Sequence, residues 1–96
     1  MRLNMNNDFN RLSKVLRTTE LNGFKLIFQE MNNEENKIIN VKNITKRIGK
    51  SKNYLDQIIH IMEIIGLVEI KTLGRGGTHV KIINKKLFEQ LINLIE

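Results

Sequence analysis

The sequence predicts a small α+β domain, mainly helical with one β-hairpin, and three observations between residues 38 and 83 predict it. A short helical stretch over about residues 43–48 stops at Gly49. A longer apolar-periodic stretch over about 51–65 stops at Gly66. Two strand-like runs, LVEIKT and THVKII, then flank the glycine-rich turn LGRGG. Helix–turn–helix followed by a hairpin is the plan of a winged helix-turn-helix domain.

In chain order, a first helix is expected over about residues 8–17, because Phe9, Leu12, Val15 and Leu16 recur on one face. A second helix follows Thr18 or Thr19, either of which can cap it, with Leu21, Phe24, Ile27, Phe28 and Met31 as its apolar stripe. NNEEN (32–36) reads as a polar loop, and Ile38, Ile39 and Val41 as a short strand joining the hairpin's sheet. The hairpin strands span about 67–72 and 78–83. Asn84 caps a last helix striped by Leu87, Phe88, Leu91, Leu94 and Ile95. Residues 1–18 form a candidate dimerisation helix, and 19–96 the winged helix-turn-helix domain with its C-terminal helix. The terminal stripes (Phe9, Leu12, Leu16; Phe88, Leu91, Ile95) serve either as dimer surface or as cover for the domain's own core.

Ninety-six residues suffice for one domain. Cysteine is absent, so neither a disulfide framework nor a thiolate metal site is expected. The N-terminal MRLNMNNDFN lacks the apolar segment of a secretory signal, and no apolar run approaches the roughly 18 residues of a bilayer span. The expectation is a soluble cytoplasmic protein, associated with nucleoid or plasmid and not with membrane.

The net charge of +6 is unevenly spread. Residues 37–86 hold eleven Lys or Arg against three acids, a local charge of +8, and the rest of the chain carries −2. A basic block on a helix–turn–helix and hairpin is the electrostatic footprint of phosphate contact.

On a helical wheel, Tyr54, Leu55, Ile58, Ile59, Ile61, Met62 and Ile65 cover an arc of roughly 160°. Lys52, Asn53, Asp56, Gln57, His60 and Glu63 occupy the other side. Asn and Gln pair bidentately with adenine, and Lys with guanine or phosphate. Ser51 caps the helix and leaves backbone N–H groups aimed at a phosphate. The bland alternative is a solvated polar face. Ile64 falls in the polar arc and Ile61 at its edge, which points to contact with the wing, the N-terminal helix or a second subunit. At the tip, Arg75 between Gly74 and Gly76–Gly77 can enter a minor groove, with Lys71 and Lys81 on the flanking strands. The full candidate DNA-contact set is Lys42, Lys46, Lys50, Ser51, Lys52, Asn53, Tyr54, Gln57, Lys71, Arg75, Gly76 and Lys81.

GRGG is neither a P-loop, since no GK[ST] follows, nor a dinucleotide fingerprint, since it joins two strands. His60 with Asp56 and Glu63 has metal-ligand spacing, but such trios are commoner on solvated helix faces. His79 reads as a strand side chain or phosphate contact. No catalytic constellation appears. A binding protein without cofactor or metal is therefore expected.

From Ile38 onward the chain resembles the C-terminal winged-helix domain of the CodY family of global repressors. The likeness rests on NITKRIGKSKNYLDQIIHIMEIIGLVE, on the wing LGRGGTHVKIIN, and on the spacing of Gly77, Thr78, Lys81 and Asn84. The preceding ELNGFKLIFQEM is also similar, so the likeness covers about three quarters of the chain. It implies double-stranded DNA binding through Ser51, Lys52, Asn53 and Gln57 and through the wing around Arg75. That family carries an upstream sensor domain for branched-chain amino acids and GTP. Only about twenty residues precede the match here, so the sensing role is not carried over. In size, build and composition the chain is also similar to TubR-type centromere-binding adaptors of plasmid and phage partition systems. Two roles stay open: a small transcriptional regulator, or an adaptor that coats AT-rich repeats or a palindrome and meets a filament-forming GTPase. Either is expected to be a homodimer. The alternative class is a winged helix whose basic face meets an acidic protein.

Overall fold

The computed structural model describes residues 5–74 and 77–95. Helix α1 (Met5–Val15) leads into α2 (Thr18–Met31), then strand β1 (Asn36–Ile39), α3 (Val41–Ile48) and α4 (Lys52–Ile64). The hairpin β2 (Val68–Thr72) and β3 (Thr78–Ile82) follows, and α5 (Lys85–Asn93) closes the chain. The sheet has the order β1-β3-β2 and is antiparallel throughout, with β3 in the middle.

Apolar periodicity explains the core. Phe24, Ile27 and Met31 of α2, Leu55, Ile58 and Met62 of α4, and Leu87, Phe88 and Leu91 of α5 meet in one buried cluster with Val68, Val80 and Ile82 of the sheet. Phe88 sits edge-on to Phe24 and Phe28, with ring centroids 6.4 and 4.9 Å away. Gly23 lets α2 approach α4, since a Cβ there would lie 2.6 Å from the Ile58 side chain. The terminal stripes cover the chain's own core: Leu12, Phe88 and Leu91 are buried, and Phe9, Leu16 and Ile95 pack against the cluster.

Local chemistry moves several boundaries from those expected. The first helix begins earlier and ends at Val15, which is 65% exposed and lies off the apolar stripe. Arg17 caps α2 instead of Thr18 or Thr19, because the Glu20 carboxylate accepts its backbone N–H at 2.7 Å. Val41 opens α3 instead of extending the strand. The Asn40 side chain accepts the Asn43 N–H at 3.1 Å, which starts the helix there and turns Val41 into the core. Leu94 follows the end of α5 and is exposed, whereas Ile92 is buried. Ile61 packs against the core, and Ile64 stays 68% exposed.

The exit from α4 is fixed by Gly66. Its φ of +83° lets its N–H reach the Glu63 carbonyl and the Leu67 N–H reach the Met62 carbonyl. This is a Schellman ending, with Met62 and Leu67 both buried in the core cluster. Leu67 therefore caps the helix instead of opening the strand.

Candidate nucleic-acid interface

Three residues, Gly49 to Ser51, separate α3 from α4. The Gly49 N–H donates to the Thr45 carbonyl at 3.0 Å and ends α3. Ser51 Oγ accepts the Tyr54 N–H at 3.1 Å and starts α4. The N–H groups of Lys52 and Asn53 precede the first intrahelical bond and point out of the helix end. Leu55, Ile58, Ile59 and Met62 are buried, which leaves Lys52, Asn53, Asp56, Gln57 and His60 on the exposed side.

Part of this exposed side and the hairpin form the two walls of a groove of about 650 Å³, which Asn53, Gln57 and His60 do not line. Lys52 and Asp56 line one wall with Asn40, Val41 and Lys42 from the start of α3; Thr72, Gly74, Gly77 and Thr78 line the other. The helix–turn–helix and the base of the wing thus open onto one concavity. Gly77 is confined there by its neighbours: φ is +97°, and a Cβ would lie 2.6 Å from the Ile39 carbonyl oxygen. Close approach to β1 accounts for this glycine without any ligand.

The predicted contact residues fall into groups. Lys42 and Lys52 share the groove, and Lys46 is exposed one turn along α3 from Lys42. Asn53 and Gln57 are exposed one turn apart on α4. Lys50 Nζ lies 5.6 Å from the Tyr54 ring centroid, a cation–π contact. Tyr54 is half-buried, and its hydroxyl donates to the Thr19 carbonyl at 2.7 Å, so its polar tip is engaged by the protein. Burial, and after it the charge of Glu20, raise its pKa above the usual tyrosine value. Lys71 and Lys81 lie on the other face of the sheet from Thr72 and Thr78, opposite His79 and Glu69 in the β2–β3 register. Arg75 and Gly76 lie outside the described residues.

Ion pairing divides the cations further. Arg47 is bound to Glu30 and so ties α3 to α2. Lys52 is bound to Asp56 at 2.8 Å. Among the described residues, Lys42, Lys46, Lys71 and Lys81 have no acidic partner at ion-pair distance. Asp56, His60 and Glu63 are not gathered into a metal-ion set. No helix among the described residues is long and apolar enough to cross a membrane.

The contact set read from sequence omits Asp56, Thr72 and Thr78, which line the groove. The signals for them were present. Strand alternation puts Thr72 and Thr78 on the face opposite Lys71 and His79, and the i,i+4 spacing of Lys52 and Asp56 predicts their pairing.

Helix, three-residue turn, second helix and a hairpin packed beside it define a winged helix-turn-helix domain. No family model matches the chain. Over 77 residues, 80% of its length, it is 33% identical to the global transcriptional regulator CodY of Thermoanaerobacter sp. (strain X514), and equally to that of Clostridium perfringens. It is 30% identical over 76 residues to the CodY of Bacillus cereus. The chain spans about 30% of the length of these relatives. The domain is a CodY-like winged helix.

Proposed function

We propose that this domain binds double-stranded DNA and acts in transcriptional regulation, as a binding module and not as an enzyme. The carrying observation is the groove in which the exposed N-terminal end of α4, Lys42 and the wing's inner face come together. A B-form major groove admits an α-helix. With α4 laid in it, Asn53 and Gln57 meet base edges, while Lys42, Lys46 and Lys50 meet the flanking phosphates. The sequence puts Arg75 between the two hairpin strands, and arginine is the residue type suited to a minor groove. The role of these relatives as global transcriptional regulators supports the same reading.

A single domain of this size offers few base contacts, so the reading includes a homodimer on a two-fold site. It places the protein in the cytoplasm on its DNA. A regulator would protect a single palindrome; a partition adaptor of the TubR kind would protect tandem repeats and bind a filament-forming GTPase. Footprinting of fragments from the parent replicon separates the two.

The test of DNA binding itself is fluorescence anisotropy on a randomised duplex pool across a salt series. Each phosphate neutralised contributes about −0.9 to the slope of log K against log[salt], so several contacts give a steep fall. A slope near zero, or no affinity, would overturn the reading and leave the basic face to an acidic protein.

A further inference from the structure

The groove contains an acid where a polyanion would approach. Asp56 lies one turn from Lys52, and the two are joined at 2.8 Å, with side chains 46% and 57% exposed. Both line the wall that faces the wing. In the free protein the lysine nearest the end of α4 is therefore already neutralised by a protein carboxylate. Contact with phosphate must either take Lys52 away from Asp56 or carry the carboxylate towards the phosphate with it.

We propose that Asp56 is a specificity-determining residue of this interface. It withholds Lys52 from indiscriminate phosphate contact and releases it where a base edge offers the carboxylate a donor. The inference rests on the duplex-binding reading above. An ionised carboxylate only accepts hydrogen bonds. In the major groove the cytosine N4 amino group is its matching donor; adenine N6 also donates but sits beside the acceptor N7, and guanine O6 and N7 and thymine O4 are acceptors that leave it unsatisfied. At a cytosine, Asp56 exchanges Lys52 for the base and Lys52 turns to the backbone. Elsewhere the ion pair stays closed and Lys52 adds nothing to counterion release.

Asp56→Asn tests this, because it removes the charge and keeps the size. Both partners are well exposed, so the variant is expected to melt at the wild-type temperature, which circular dichroism checks. On the unselected duplex pool, Asp56→Asn should bind several-fold more tightly than wild type. Its salt slope should steepen by about 0.9, the signature of one further phosphate contact. In the Asp56→Asn background, Lys52→Ala should abolish the steepening. Duplexes selected from the pool by wild type should be enriched in cytosine at one position, and those selected by Asp56→Asn should lose that enrichment. Duplex binding by wild type with slope and selected cytosine both unaltered by Asp56→Asn would overturn the role of Asp56. Absence of salt-dependent duplex affinity in wild type would instead overturn the DNA reading itself.

Discussion

At its N-terminal end α4 shows Lys52, Asn53, Asp56 and Gln57 to solvent. At its C-terminal end it buries Met62 and passes the chain to buried Leu67 through Gly66. One end holds the domain together and the other is free to meet a ligand. The division follows from what each end packs against. The C-terminal end lies against the start of the hairpin, while the N-terminal end follows a three-residue turn and looks into the groove. Stability and recognition are thus separated along a single helix. The exposed residues of the recognition end can change without loss of fold.

The strongest way to break this comparison is to strike the buried end. Met62→Ala should cost about 2–5 kcal/mol, the transfer energy of the lost side chain plus the cavity left behind. That is a large share of a small domain's roughly 5–15 kcal/mol. Denaturant unfolding measures it. Under conditions where the variant remains folded, its duplex affinity and salt slope should match wild type. A selective loss of base discrimination in the folded variant would show that the two ends are coupled.

A weaker effect of opposite kind is expected at the exposed end. Asn53→Ala and Gln57→Ala should change stability by no more than about 0.5 kcal/mol, as surface substitutions do. Each should reduce discrimination between selected and random duplexes by about 1–3 kcal/mol if it removes a bidentate base contact. Equal losses on both kinds of duplex would mean that α4 grips the backbone without reading it.

How far this division could be read from the chain depended on the range of the interaction responsible. Helical stripes are periodic and local, so Phe24, Leu55, Ile58 and Leu91 could be assigned to the core from spacing alone. The Asn40 cap is equally local, but the strand propensity of Val41 points the other way. The structure reverses that preference because the cap satisfies an N–H of the new helix and burial holds Val41. At the site, alternation alone separates Lys71 and Lys81 from the inner wall of the groove. The close approach of Gly77 to Ile39 joins residues far apart in the chain, and spacing gives no sign of it. Tyr54 is the clearest case. Its polar tip stood among the candidate contacts, but its acceptor is Thr19, 35 residues away.

Tyr54 sits at the N-terminal end of α4, where that end meets the rest of the fold, and it gives the finest probe of the separation. Its hydroxyl ties the first turn of α4 to the start of α2, so Tyr54→Phe should cost about 1 kcal/mol, the net value of one hydrogen bond. The loss should carry a pH signature. Burial first, then Glu20, hold the folded pKa above the unfolded value of 10.0. Above about pH 10 the native chain keeps a phenolic proton that the unfolded chain has lost, so stability falls as pH rises through that window. Below pH 10 both states are protonated and this contribution is fully present. Tyr54 is the chain's one tyrosine, so ultraviolet titration of tyrosinate reads it without overlap. The midpoint should lie higher in the folded protein than in denaturant, and Tyr54→Phe should remove this residue's share of the alkaline destabilisation. If the two midpoints coincide, the phenol is not buried beside Glu20 and the recognition end of α4 is looser than its packing implies. If they differ as expected while Tyr54→Phe leaves duplex discrimination intact, Tyr54 belongs with Met62 as support for α4 and makes no contact with bases.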